Sequence, residues 1–135
     1  MDYKDLFDEF LVSHDTLRIY KDDKLLFLSN KDRVLPLLEY IDRFADSYRQ
    51  VVIFDKVMGN AAALLAVKAG CTEVYSPLGS QLAIKTLDKH SIKYHLTNIV
   101  PYIQRDDGQG MCPMEQLSID KEPEEFFVLV KNMVK

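Results

Sequence analysis

A chain of 135 residues, 47% of them hydrophobic and 28% charged, suits one domain with a real core and excludes extended disorder. The formal net charge is −4, with 17 basic and 21 acidic residues interspersed and no basic run, so nucleic acid is not an expected partner although a local basic patch is compatible with the sequence. No apolar run is long enough to cross a bilayer, and no signal peptide is read. Cys71 and Cys112 are too few for a disulfide scaffold, so a cytoplasmic location is expected.

In chain order, Tyr3–Ser13 carries Leu6, Phe7, Phe10 and Leu11 at helical spacing and reads as an amphipathic helix. Thr16–Tyr20 and Leu25–Ser29 flank Lys21-Asp22-Asp23-Lys24, the pattern of a β-hairpin. Val34–Tyr48 returns to helical periodicity, with Leu35, Leu38, Ile41 and Phe44 on one stripe and Pro36 in the first turn. Val51-Val52-Ile53-Phe54 is an unbroken run of β-formers, as in a central strand covered on both faces. A small-residue helix over Gly59–Ala69 should end at Gly70. Glu73–Tyr75 reads as a short strand, Pro77–Lys89 as a helix and Ile92–Leu96 as a third strand. Gln104–Met111, with Gly108 and Gly110, reads as a loop, and Glu124–Val134, opened by Pro123, as a last helix. Two strand–helix–strand units in succession require crossovers and hence parallel pairing. The expectation is a single α/β domain over residues 1–135, three-layered α/β/α around a mixed central sheet.

That order of elements resembles the cytidine-deaminase-like fold. Three words, Asp55-Lys56-Val57-Met58-Gly59-Asn60-Ala61-Ala62-Ala63, Val74-Tyr75-Ser76 and Met111-Cys112-Pro113-Met114-Glu115, resemble the DUF1893 (TM1506-like) family, with Cys-Pro-Met-Glu the most specific. The resemblance covers about half the chain and implies a deaminase-like architecture without an established reaction. Zinc deaminases place His or Cys with Glu at one helix start and Pro-Cys-x-x-Cys at the next. Here the first start is Gly59-Asn60-Ala61-Ala62-Ala63, and Leu78 and Gln81 stand where the two Cys would be. His14, His90 and His95 lie elsewhere, without ligand spacing to either cysteine. No zinc site and no cofactor are therefore expected.

In open α/β sheets ligands bind beyond the carboxyl ends of parallel strands, where helix N-termini offer free N–H groups. Asp55 and Lys56 leave the central strand at that edge, and Gly59 with its following alanines keeps the next helix start bare. Such a terminus favours an anion, to which Lys56 could add charge. Tight packing on the sheet is the competing reading of the small residues, and a backbone-bonded turn that of Asp55. Ser76-Pro77 reads as a helix cap and first turn, though Ser76 and Ser80 could also touch a ligand. Cys112 reads as the cap of a helix opened by Pro113, where the dipole favours thiolate; Glu115, third in that helix, could fold back as in a capping box. Arg105 flanks the site from a loop whose glycines allow movement. The alternative for Cys112 is a small buried hydrophobe.

The leading expectation is a metal-free binder of a small anionic or nucleotide-like metabolite. Its site would comprise Asp55, Lys56, Gly59, Asn60, Ser76, Ser80 and Arg105, with Cys112 and Glu115 close by. Against it stand an enzyme using Cys112 as nucleophile or redox thiol, with Glu115 beside it, and an interaction module. Domains of this kind often form symmetric oligomers, so a homodimer is one expectation and a membrane partner is not.

Overall fold

The computed structural model describes residues 2–134. Helix α1 (Lys4–Leu11) leads into a hairpin of β1 (Leu17–Lys21) and β2 (Lys24–Ser29). Asp22 and Asp23 both hold left-handed backbone, φ 51° and 63°, which is what a two-residue turn needs to match strand twist. Helix α2 (Leu35–Phe44) follows, with Pro36 in its first turn. Its buried face is Leu37, Leu38, Tyr40 and Ile41, with Phe44 packed against the core, so Leu38, Ile41 and Phe44 of the expected stripe face inward and Leu35 alone of the four is exposed.

Strand β3 (Val51–Asp55) is buried along its whole length, as its unbroken apolar run requires. It pairs antiparallel with β1 and parallel with β4 (Cys71–Ser80), which pairs parallel with β5 (Lys93–Val100). The result is one mixed sheet in the order β2-β1-β3-β4-β5. Helices α3 (Asn60–Ala69) and α4 (Gln81–Lys89) are the two crossovers, and α5 (Pro113–Ser118) and α6 (Pro123–Met133) complete the chain.

Alternation along the strands divides the core into two faces. Leu17, Ile19, Val51, Ile53 and Val74 point to the face covered by helices α2 to α6. Tyr20, Val52 and Phe54 point the other way, where α1 packs Tyr3 and Phe10 against them. α3 lies at the centre of the larger layer and touches α2, α4, α5 and α6. Its side chains explain that position, since Ala61, Ala62, Ala63, Ala66 and Ala69 are all buried and let four neighbours approach. Gly70 ends the helix at φ 83°, and a β-carbon there would lie 2.5 Å from the Arg49 guanidinium.

The main departure from the sequence reading is at β4. The strand continues through Pro77 to Ser80, and α4 begins at Gln81, four residues later than expected. Pro77 is tolerated because β3 pairing stops at Tyr75 and the β5 register passes from Ser76 to Leu78, so no ladder bond needs its missing N–H. The Ser76 hydroxyl spans the proline, donating to Leu78 O at 2.9 Å and accepting from Leu78 N–H at 3.3 Å. Ser80 is the true cap, accepting from Ala83 N–H at 3.0 Å. Leu78 is thus a strand residue, and only Gln81 of the two compared with zinc ligands opens a helix.

Candidate functional site

Parallel pairing brings the carboxyl ends of β3, β4 and β5 to one edge of the sheet. Leu17 of β1 lies opposite Asp55 there. A cleft of about 410 Å³ opens at that edge, over the N-terminus of α3. Asp55, Gly59, Ala61 and Ala62 form its floor side; Val34 comes from the segment before α2, and Ile103, Cys112, Met114 and Glu115 close it from the later chain. The expected approach of Cys112 to the helix starting after Gly59 is therefore observed.

Asp55 is the last residue of β3 and faces the larger helical layer, 8% exposed. Its Oδ1 accepts the Val57 N–H at 3.3 Å, the backbone turn anticipated for it. Oδ2 makes no hydrogen bond among the described residues. Tyr40 Oη is the one fully buried side-chain polar atom without a partner among those residues, so Oδ2 is reached by solvent, and the opening in front of it is the cleft. Burial pushes the Asp55 carboxyl up to about 7; the Val57 and Lys56 backbone N–H groups offset only part of this, and no cation contributes.

Lys56 does not assist. It follows Asp55 and its side chain leaves toward the opposite face. Its ammonium donates to Ser13 O and Asp15 O at 2.9 and 2.8 Å and sits 4.6 Å from the Phe10 ring centre. It straps the end of α1 to the sheet rather than supplying charge to a ligand.

Glu115 departs from the expected capping box. Instead of returning to its own helix start, the carboxylate accepts Asn60 N–H at 2.6 Å on Oε1 and Ile103 N–H at 2.8 Å on Oε2. It thereby caps α3 from α5, only 2% exposed. Gly59 is required by this contact, because a β-carbon there would stand 2.9 Å from Glu115 Oε1 and 2.8 Å from Ile103 Cγ1. Cys112 is the cap residue of α5 and half-buried, but its side chain makes no capping bond.

Asn60, Ser76 and Ser80 are not in the cleft. The Asn60 amide donates to Ser118 O and Oγ, both at 3.0 Å, and accepts from Thr86 Oγ, so it joins α3, α4 and α5. Ser76 and Ser80 are buried in the turn and cap described above. None of the three lines the cleft, and the hydrogen bonds their side chains make run within the fold. Arg105 lies outside the inner cleft, in a shallower hollow of about 380 Å³ shared with Arg33, Gln104, Asp106 and Cys112. There it faces Asp107 at 3.3 Å, and Arg33 reaches Asp106 at 4.0 Å. The segment holding these residues is a small hairpin, with Gln104 bridged to Met111 and Arg105 N–H bonded to Gly110 O.

Arg33 and Ile103 were missed by sequence reasoning. Neither stands near the Asp55–Asn60 word; only long-range packing brings them to it. A second polar group was also missed, on the α1 face. Glu73 Oε2 accepts from the Tyr75 hydroxyl at 3.1 Å and meets His95 Nε2 at 2.5 Å, while the Tyr75 and His95 rings stack at 4.1 Å. Burial, then Glu73, pushes the Tyr75 phenol up to about 12. Pairing of Tyr75 with His95 across β4 and β5 creates this cluster, and that register is invisible in a single sequence. Among the described residues no three of His, Cys, Asp and Glu gather to hold a metal ion. No described helix is long and apolar enough to cross a membrane.

Residues 8–134 match a family model described as TM1506, a domain of unknown function (DUF1893). Among solved structures, the chain is similar to the crystal structure of a DUF1893 family protein (TM1506) from Thermotoga maritima. The TM-score is 0.86 at 24% identity, over 96% of this chain and 88% of that one, which shows a shared fold. No curated protein matches.

Proposed function

Since the chain belongs to the DUF1893 family and shares its mixed α/β fold with the Thermotoga maritima member, we propose that it is a binding domain for a small nucleotide-like metabolite, held in the cleft at the start of α3. The observation that carries the reading is Asp55: a buried carboxyl with no cation beside it and one oxygen open to a cleft of about 410 Å³. Such an arrangement costs stability, and groups of this kind gather at functional sites. A flat ring fits among Val34, Ala62, Ile103 and Met114. Any anionic part of the ligand belongs at the rim, toward Arg33 and Arg105, because the Glu115 carboxylate takes the Asn60 N–H and would repel an anion at the N-terminus of α3.

The element order supports a place for the chain in the cytidine-deaminase-like group, as a zinc-free member. At the two helix starts that would hold the metal the residues are Gly59-Asn60-Ala61-Ala62 and Ser80-Gln81, whose side chains are small or offer only amide and hydroxyl groups. Thermal denaturation of the full chain with a panel of nucleobases, nucleosides and nucleotides tests the reading. A true ligand near 100 times its Kd should raise Tm by about 5 °C or more. No shift across that panel would overturn it.

A further inference from the structure

Resting on that reading of the cleft, we propose that its floor selects a ligand edge carrying N–H donors, such as an amidine or amide, which Asp55 Oδ2 accepts, and rejects a carboxylate or phosphate there. The selection follows from what each floor group has left to give. Glu115 has both oxygens committed to the Asn60 and Ile103 N–H groups, so it adds negative charge without offering a donor. Asn60 N–H, the first donor of this helix start, is consumed by the same bond, so an anion reaching for the N–H groups of Ala61 and Ala62 would lie against the Glu115 carboxylate. Among the described residues, Asp55 Oδ2 has no hydrogen-bond partner and is open to the cleft.

Every charged group facing Asp55 agrees with that sign or is held away. From its own strand end, Lys56 is tied to Ser13 O and Asp15 O. From α5 comes Glu115, and from the hairpin before it Asp106 and the Cys112 thiol. From the segment before α2 come Asp32 and Arg33, and Arg33 lies 66% exposed, facing Asp106 at 4.0 Å. Thr16, ahead of β1, and Gln104, in the hairpin, are the uncharged polar neighbours, and the Thr16 hydroxyl donates to Ser29 O. An anion at the floor would meet two carboxyl groups and no free cation. A donor edge would gain a charge-assisted hydrogen bond to the Asp55 carboxylate.

Benzamidine, benzamide and benzoate share one ring and differ in the edge they present, so they separate the cases. Each is titrated into the isotope-labelled full chain while backbone amide shifts are followed. Benzamidine and benzamide should move the amides of Asp55, Val57, Gly59, Ala62 and Cys112, with benzoate at least about tenfold weaker. D55N, which keeps the side-chain shape, should weaken benzamidine about tenfold or more. Because the Asp55 carboxyl lies at about 7, benzamidine affinity should also fall about tenfold from pH 8 to pH 6 as the acceptor is protonated. Benzoate binding as tightly as benzamidine in the cleft would overturn the inference, as would D55N and the pH change both leaving benzamidine unaffected. Cleft shifts with nucleotides but none with benzamidine would also overturn it, while leaving the broader reading of the cleft intact.

Discussion

The side chain of Asp55 makes stability and site chemistry the same question. Its carboxyl is raised from 3.8 to about 7 by burial, so between those values the folded chain holds a proton that the unfolded chain has released. Stability therefore falls as pH rises from about 4 to 7 and levels off above the folded value. The contribution is about 4 kcal/mol at one pKa unit per 1.36 kcal/mol. Urea denaturation should show D55N more stable than the parent at about pH 8, with the gain vanishing near pH 4. A D55N chain that is less stable at every pH would mean that the carboxylate is compensated in the fold. Glu115 behaves oppositely. E115A strips the Asn60 and Ile103 N–H groups of their acceptor and should cost about 2–4 kcal/mol by the same measurement.

Among the elements, caps decide where helices start, and the start of α4 separates two readings of one short segment. S80A removes the bond to Ala83 N–H and should lower stability by about 1 kcal/mol in chemical denaturation, whereas a cap at Ser76 would leave S80A near neutral. Much of the architecture was legible because local chemistry and tertiary role agree. The Val51–Phe54 run is a central strand, Gly70 ends α3, Asp22-Asp23 turns the hairpin, and Pro113 starts a helix behind Cys112. The β4–α4 boundary was not legible, because Ser-Pro is also a strong helix-start signal. What overrides it is a pairing partner, β5, that keeps the chain extended past Pro77 to Ser80. The site was legible in part for the same reason. Asp55, Gly59, Cys112 and Glu115 do converge, since strand ends and helix starts can be placed along a chain. That Lys56 leaves the opposite face, that Asn60 turns into the helical layer, and that Glu115 caps a different helix depend on contacts 41 to 58 residues apart.

At the scale of the whole molecule, the sheet carries two unequal faces and the two polar clusters are divided between them. The thick face, built around α3, ends in the cleft at Asp55. The thin face, covered by α1, holds Glu73, Tyr75 and His95 beside a hollow of about 400 Å³ lined also by Lys4, Phe7 and Thr97. Ligand binding belongs to the thick face, at the cleft beside Asp55, so the location of binding is what distinguishes the two clusters. Backbone amide shifts of the full chain, recorded during titration with a nucleoside or nucleotide that raises Tm, test it most directly. The largest changes should fall at Asp55, Val57, Gly59, Ala62, Ile103 and Cys112. Changes confined to Tyr75, His95 and Thr97 would contradict it.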